Sequence, residues 1–510
     1  MNQRKAGAIL SYIGIALNTV VGFLFTPLLI SFLGKDQYGL YQLVGSLIAY
    51  LNIMDLGLSN TTTRYYSGYK AVNDEISAEN ILALSGILYA GVSILIILAG
   101  LLLFHYFIPL YYHTLSAQEI VLVRNMFYVL LLNLAIVIPS NVFTAIITAH
   151  ERFIFAKGLI LFTTLFRPLS VVAFLFFFNS VMTVVIVQTL FNIFVALLSV
   201  WYVLGKLRVK FKLHYWNAKL VKEILTFSFF VCIPGIISIA YWKTGQVILG
   251  AVAGAGAVAL YATAIQIAQG YMAMSSSMGG IFLPQLSAIN AKTDDMTEIN
   301  AIFLKTSRLQ YYFMSYIFLG FVLYGRSFVN LWVGPEFKQV YSYSLILMAG
   351  LFVCLVQTTA VPIIQAKNKH AFRAVLYAVL GVINIIVCIP MAKKYGGMGC
   401  AITTGLSLLT GQTIIINFYY HKLGIKVLEL FIEMIKIIPY MLIAFFVFLF
   451  VGLLWDNGKI TGFILQGAMF SAAYGIILWF FVFNQYEKDL VKKTLNLISG
   501  GLYDKFKKES

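Results

Sequence analysis

Charged residues inside long apolar runs are the candidates for chemistry in this chain, and they are few. Of nineteen Asp and Glu residues, Asp55 alone falls within such a run, near its end. Arg167 and Lys243 fall well inside two others, with no acid beside either in sequence. An uncompensated cation in an apolar medium costs about 3 kcal/mol or more, so it is kept facing a water-filled cavity or an anionic ligand. The pattern points to a cationic cavity and an anionic cargo. Lys243, in Tyr241-Trp242-Lys243-Thr244-Gly245-Gln246, is the strongest cavity candidate. Arg167 precedes Pro168, whose missing N–H frees a backbone carbonyl one turn back, and bonding to freed carbonyls accounts for this arginine equally well. Asp55 and Arg64 are spaced to pair at one mouth of the cavity, although a solvated helix end accounts for either alone. Arg124, Lys305 and Arg308 lie close to run ends, where snorkelling explains them.

The runs that hold these residues define the class. Of 510 residues, 61% are apolar or aromatic and only 11% are charged, whereas soluble domains carry roughly 25% charged residues. That composition excludes a soluble globular protein. Apolar segments lie near 8–33, 39–60, 81–104, 121–147, 158–178, 181–204, 224–250, 257–285, 301–324, 342–365, 372–392, 398–419, 436–455 and 460–483. A bilayer needs about 20 residues of helix, so the reading is an all-α integral membrane protein with about fourteen transmembrane helices. The first run follows Arg4 and Lys5, is too long for a signal peptide and ends at no small-residue cleavage site, so it reads as an uncleaved span.

Formal net charge is +17, and its distribution follows the membrane. With the N-terminus inside, twenty-seven of the 36 Lys and Arg fall in inner connections. Seven fall outside (Lys35, Arg124, Arg326, Lys338, Lys393, Lys394 and Lys459), and Arg167 and Lys243 lie within spans. That is the positive-inside bias, so the basic charge reports topology and no nucleic-acid partner is inferred. Both termini then face the cytoplasm. The most basic loop, Lys206 to Lys222, reads as a surface linker between two halves that rests on anionic lipid head groups. Residues about 220 apart match across it: Gly34 and Leu40-Tyr41 align with Gly254 and Leu260-Tyr261, and Ser67 and Ala71 with Ser287 and Ala291. The expected organisation is an N-terminal six-helix lobe (1–204), a basic cytoplasmic linker (205–222), a pseudo-symmetric C-terminal six-helix lobe (223–420), and two extra helices with a basic tail (421–510).

Other motifs lack their context. Gly254-Ala255-Gly256-Ala257-Val258-Ala259 resembles a dinucleotide fingerprint but lies between membrane spans and follows no strand. There is no P-loop. The six His sit in or beside loops without metal-ligand spacing, and Asp294-Asp295 reads as a solvated turn. Cys232, Cys354, Cys388 and Cys400 read as small buried hydrophobes without a bonding partner. Tyr111, Tyr112, Trp201, Tyr202 and Trp332 suit interfacial belts. No catalytic residue, metal or cofactor is expected.

The stretch Pro27-Leu28-Leu29, Leu33-Gly34, Tyr38-Gly39-Leu40-Tyr41, Asp55-Leu56-Gly57-Leu58 and Arg64-Tyr65 resembles the opening of the bacterial polysaccharide flippases, the O-antigen and capsule transporters. Leu331-Trp332-Val333-Gly334-Pro335-Glu336-Phe337 is similar to that family's outer connection after span nine. Gln365-Ala366-Lys367-Asn368-Lys369, Asn384-Ile385, Pro390 and Tyr395-Gly396-Gly397-Met398-Gly399-Cys400-Ala401 are similar to its spans eleven and twelve. The resemblance covers the first twelve spans; the last two match only in number.

What the resemblance implies is a multi-pass transporter of the bacterial inner membrane, in the multidrug/oligosaccharidyl-lipid/polysaccharide exporter superfamily. Its members flip undecaprenyl-pyrophosphate-linked oligosaccharides by alternating access, with coupling to protons or sodium, alongside a polysaccharide polymerase and glycosyltransferases. Arg and Lys can hold the pyrophosphate while the polyprenyl tail stays among membrane lipids. On this reading Lys243 and Arg167 contact the phosphates, and Asp55 with Arg64 forms a cytoplasmic gate. Two cations are fewer than the family's cavities often hold. Span one has no carboxylate, which argues against a multidrug or cation antiporter on the same fold. Short outer loops argue against a membrane-embedded polymerase or ligase, and a lipid II flippase is the near alternative.

Overall fold

The computed structural model describes residues 3–55, 57–279, 289, 296–454, 460–493 and 496. Among them there is no strand, in keeping with a bilayer interior where a helix satisfies its own backbone. Twelve helical stretches are long and apolar enough to span a membrane, against the fourteen spans read from sequence. Two of the twelve, Ile9–Ala71 and Ala218–Ser276, run to 63 and 59 residues, far beyond the roughly 20 that one crossing needs. The first takes in the expected spans 8–33 and 39–60 and runs helically through Lys35-Asp36-Gln37 between them, and the second takes in 224–250 and most of 257–285. Large apolar side chains such as Phe177, Ile386 and Phe418 are exposed, as they are when the surrounding medium is lipid.

The chain divides into two compact units. The first comprises Met1–Ala273, Ser342–Gly350 and Ala371–Gly411. Its opening helices are α1 (Gln3–Asn52), α2 (Leu58–Ala71), α3 (Glu75–Phe107), α4 (Ala117–Ala149), α5 (Phe153–Leu175) and α6 (Val181–Trp201). Helix α1 packs on α5, and α4 packs on α6, α3 and α2. Their starts are written locally: Asp74 caps α3 by accepting from the Ser77 N–H at 3.0 Å, and Ser116 with Glu119 forms a capping box on α4.

After an extended segment come α7 (Ala218–Trp242) and α8 (Thr244–Gly279). That segment is strapped to α3, where Asn80 Oδ1 accepts from the N–H groups of His214 and Tyr215 at 2.8 and 3.0 Å. Both long stretches break at a glycine, Gly34 in α1 (φ 74°, ψ 174°) and Gly254 in α8 (φ 78°, ψ −176°). A positive φ of that kind favours glycine. The two breaks interlock: a Cβ on Gly39 would stand 1.9 Å from the Ala255 carbonyl oxygen, and one on Gly256 would stand 2.9 Å from Asp36 Oδ1. Of the matched pairs, Ser287 and Ala291 lie outside the described residues, as does Asp294-Asp295.

The second unit comprises Met274–Tyr341, Leu351–His370 and Gln412–Ser510. It is built on α9 (Met296–Val333) and includes both ends of α10 (Gln339–Val356), whose middle, Ser342–Gly350, belongs to the first unit, and the short α11 (Ala360–Ala366). Helices α12 (Ala371–Tyr395) and α13 (Gly397–Leu408) form a hairpin in the first unit, and α14 (Ile416–Lys422), α15 (Val427–Leu454) and α16 (Ile460–Ile477) return to the second. There α9, α15 and α16 pack on one another. Arg308 on α9 is not a snorkelling residue. Its guanidinium pairs with Glu433 of α15 and with Glu487 beyond α16, the latter at 3.0 Å, and donates to Tyr312 Oη at 2.8 Å. Glu487 is 2% exposed and also accepts from the Asn484 N–H at 2.9 Å. Asp55 is therefore not alone among acids carried by the apolar helices. Span-sized α15 starts nine residues before the run read from sequence and brings Glu433 with it.

Candidate functional site

The first unit carries all four site residues expected from sequence. Arg167 sits on α5 beside Pro168, and both line a cavity of about 190 Å³ between α1, α5 and α6. Proline cannot donate to the Thr164 carbonyl one turn back, and Thr164 lines the same cavity. The other walls are Asn18, Val21, Gly22 and Phe25 from the first half of α1, Tyr41 from its second half, and Val184 and Gln188 from α6. Tyr41 Oη donates to Gln188 Oε1 at 3.1 Å, which holds that wall together. Among the described residues Arg167 has no carboxylate within ion-pair distance. The cavity thus presents one guanidinium among neutral hydroxyl and amide groups, and an anion is the ligand whose charge it complements. On the α1 wall, Gln266 of α8 donates to the Gly22 carbonyl at 2.9 Å, and Thr26 donates to Gln266 Oε1 at 2.8 Å.

Lys243 stands elsewhere. The run 224–250 is not one continuous helix: Lys243 is the residue between α7 and α8, its N–H closing the last turn of α7 on the Ile239 carbonyl at 2.8 Å. It is half-buried and has no ion-pair partner among the described residues. A helix C-terminus carries partial negative charge, so a lysine there is partly compensated by the backbone itself. Around it Tyr241 bonds Ser407 at 2.9 Å and stacks on Tyr377 at 4.4 Å, and Tyr50 bonds Thr244 across from α1.

Asp55 and Arg64 are not paired. Asp55 ends the short turn Ile53–Asp55 and accepts from Asn141 Nδ2 at 3.3 Å, while Arg64 is exposed on α2 with its guanidinium 4.9 Å from the centre of the Phe227 ring. None of Lys243, Asp55 and Arg64 lines the Arg167 cavity.

Two arrangements escaped the reading of sequence. The cysteines are not all isolated: Cys388 of α12 and Cys400 of α13 bring their Sγ atoms to 3.1 Å, because the Gly396-Gly397 turn folds the two helices back on each other. Their spacing of twelve carried no motif. Elsewhere in the first unit His150 takes a 2.7 Å contact from Lys70 Nζ on Nδ1 and a 2.9 Å contact with Tyr66 Oη on Nε2. Burial, then the charges of Lys70 and Arg152, push its pKa down to about 4. Among the described residues no three His, Cys, Asp or Glu converge as a metal site would require.

Comparison with known families settles the affiliation. The polysaccharide biosynthesis protein family matches residues 5–290, more than half of the chain and all of the Arg167 cavity. The chain belongs to that family. A protein of Shigella flexneri described as "Putative O-antigen transporter" is 20% identical over 423 residues, covering 80% of this chain and 96% of that one. Among solved structures, lipid II flippase MurJ in an inward closed conformation has a TM-score of 0.72 at 14% identity, with 95% of this chain and 99% of that one covered. An inward-facing multidrug resistance MATE transporter of the MOP superfamily has a TM-score of 0.61 at 15% identity, covering 81% and 95%. The chain therefore shares the all-helical fold of these two transporters, as the family resemblance implied.

Proposed function

We propose that this chain flips an undecaprenyl-pyrophosphate-linked oligosaccharide, a polysaccharide or O-antigen repeat unit, across the bacterial inner membrane by alternating access. Family membership and the likeness to an O-antigen transporter support the cargo class. The observation that carries the proposal is Arg167, an unpaired guanidinium in a polar cavity of an otherwise apolar helical bundle. A diphosphate supplies two adjacent anionic groups for bidentate contact, and the polyprenyl tail needs no protein polar group at all.

In this reading Lys243 is a second, separate phosphate contact, reached at another stage of the passage because it does not share the Arg167 cavity. Asp55 and Arg64 act at the cytoplasmic gate through their own contacts with Asn141 and Phe227, and not as an ion pair. Six-helix lobes at 1–204 and 223–420, joined by the basic linker 205–222, would be the moving bodies. Both termini would be cytoplasmic, protons or sodium would drive the cycle, and glycosyltransferases and a polymerase would supply and consume the cargo. No covalent step is assigned to the chain.

The test is transfer of a pyrophosphate-linked oligosaccharide lipid in proteoliposomes, with lipid II and a cationic drug as comparison cargoes. Wild type moves the oligosaccharide lipid, Arg167→Lys retains part of the activity, and Arg167→Ala and Arg167→Glu lower it at least about tenfold, the loss of one charge-assisted contact. Unchanged transport by Arg167→Glu removes the cavity from the mechanism. Transport of the drug alone replaces the cargo.

A further inference from the structure

We infer that the cavity where α4 ends, α5 begins and α6 ends binds the phosphodiester head group of an anionic phospholipid. It measures about 460 Å³ and is lined by Gln3, Arg152, Ile154, Phe155, Tyr202, Lys206 and Leu207. Its charged residues are two cations and no acid, and neither Arg152 nor Lys206 has an ion-pair partner among the described residues. The neighbouring cavity offers a contrast. There Lys70, Arg208 and Lys210 face Asp74, Glu75 and Glu79, so its charge is internally balanced and an anion gains little by entering it.

The site has a built floor. Phe155 and Tyr202 stack with centroids 3.8 Å apart and planes at 12°, and Lys206 Nζ stands 5.4 Å from the Tyr202 ring centre. Gln3 is tied in by accepting from the Ile154 N–H at 3.1 Å. The backbone around the cavity is unusual on both sides. Glu151 and Arg208 hold φ of 53° and 52°, costly for residues with a side chain, and Tyr202–Lys206 forms a π-helical turn. Such conformations persist where surrounding structure fixes them and concentrate at ligand sites.

Depth selects a lipid over a soluble phosphate compound. Three candidate membrane spans have an end beside the cavity, at Ala149, Phe153 and Lys206. Trp201 and Leu204 beside the cavity are 63% and 48% exposed, which suits acyl chains on one side and head groups on the other. Arg152 and Lys206 can then pair with a phosphodiester while the lipid tails cover Trp201 and Leu204.

The test is native mass spectrometry of the full chain in neutral detergent, titrated with phosphatidylglycerol or phosphatidylcholine. One phosphatidylglycerol binds in preference to phosphatidylcholine. The Arg152→Ala/Lys206→Ala variant weakens that binding about 25-fold, near fivefold for each charge removed. Lys222→Ala, at an exposed lysine in the first turns of α7 outside the cavity, leaves it unchanged. Should the double variant fold poorly, Arg152→Glu and Lys206→Glu taken singly must each weaken binding. Equal binding of the two lipids, or an equal loss in Lys222→Ala, reduces the effect to diffuse surface charge and overturns the site. Displacement of the lipid by submillimolar inorganic diphosphate would assign the cavity to a soluble phosphate ligand instead.

Discussion

Gly39 lies so close to Ala255 that a Cβ on it would sit 1.9 Å from the Ala255 carbonyl oxygen. The two residues belong to the two helical stretches that break at Gly34 and Gly254, with φ within a few degrees of each other and both with extended ψ. Equivalent backbone at positions 220 apart is what duplicated elements would show, and the close approach explains why the crossing tolerates no side chain. Replacing Gly39 by alanine should lower stability by about 1–3 kcal/mol, the usual cost of overpacking, or prevent folding. Gly45→Ala on the same helix has open space around its Cβ and should be neutral to stabilising by up to about 1 kcal/mol. Thermal unfolding of the two variants in one detergent decides it. Equal midpoints would show that the contact at Gly39 is not tight.

Arg308 should be the costliest single charge to remove. Truncation to alanine leaves Glu433 and the buried Glu487 without their cation, and a broken buried pair costs about 3–5 kcal/mol. Adding Glu487→Gln removes one of the stranded charges and should recover part of the loss. A double-mutant cycle on unfolding midpoints measures the coupling, and additive effects would show that the pair contributes nothing beyond its parts.

Stability should depend on pH through His150. Its pKa in the folded chain is pushed down to about 4, below its unfolded value of about 6.5. Between those values the unfolded chain binds more protons, so stability rises with pH across that window and falls as the solution is acidified through it. His150→Gln should flatten the difference between pH 5 and pH 7 in thermal unfolding. A variant with the same pH slope as wild type would move the effect to another group.

Cys388 and Cys400 should behave as a vicinal pair. Mild oxidation should close a disulfide between them, since Sγ atoms at 3.1 Å need little movement to bond. Both thiols should then lose maleimide reactivity after denaturation and regain it on reduction. Cys232, whose sulfur instead contacts the Phe229 carbonyl, should stay reactive throughout. Independent labelling of Cys388 and Cys400 after oxidation would exclude the contact.

The parts of this protein legible in its sequence are those determined within a run of about 20 residues. Apolar length specifies a membrane helix wherever it occurs, because every backbone group must be satisfied inside the segment. Charge asymmetry across short connections suggests an orientation for the same local reason, and a glycine can mark a break because only the local φ is at stake. The all-helical class, the family motifs and the position of Arg167 beside Pro168 were readable on those grounds. What no local pattern contains is which distant side chains meet. Arg308 and Glu487 are 179 residues apart, and only the packing of α9 against the last helices makes an arginine near the end of an apolar run half of an ion pair with a buried carboxylate. Asp55 and Arg64, nine positions apart, looked like partners, yet the turn at Ile53–Asp55 gives one to Asn141 while the start of α2 carries the other toward Phe227. Lys243 illustrates the same division. Hydropathy sees an apolar run and puts the lysine within it, but hydropathy averages over a window and cannot register the single residue at which α7 stops and α8 begins. Tertiary contacts, through Tyr241, Ser407 and Tyr50, hold that junction in place.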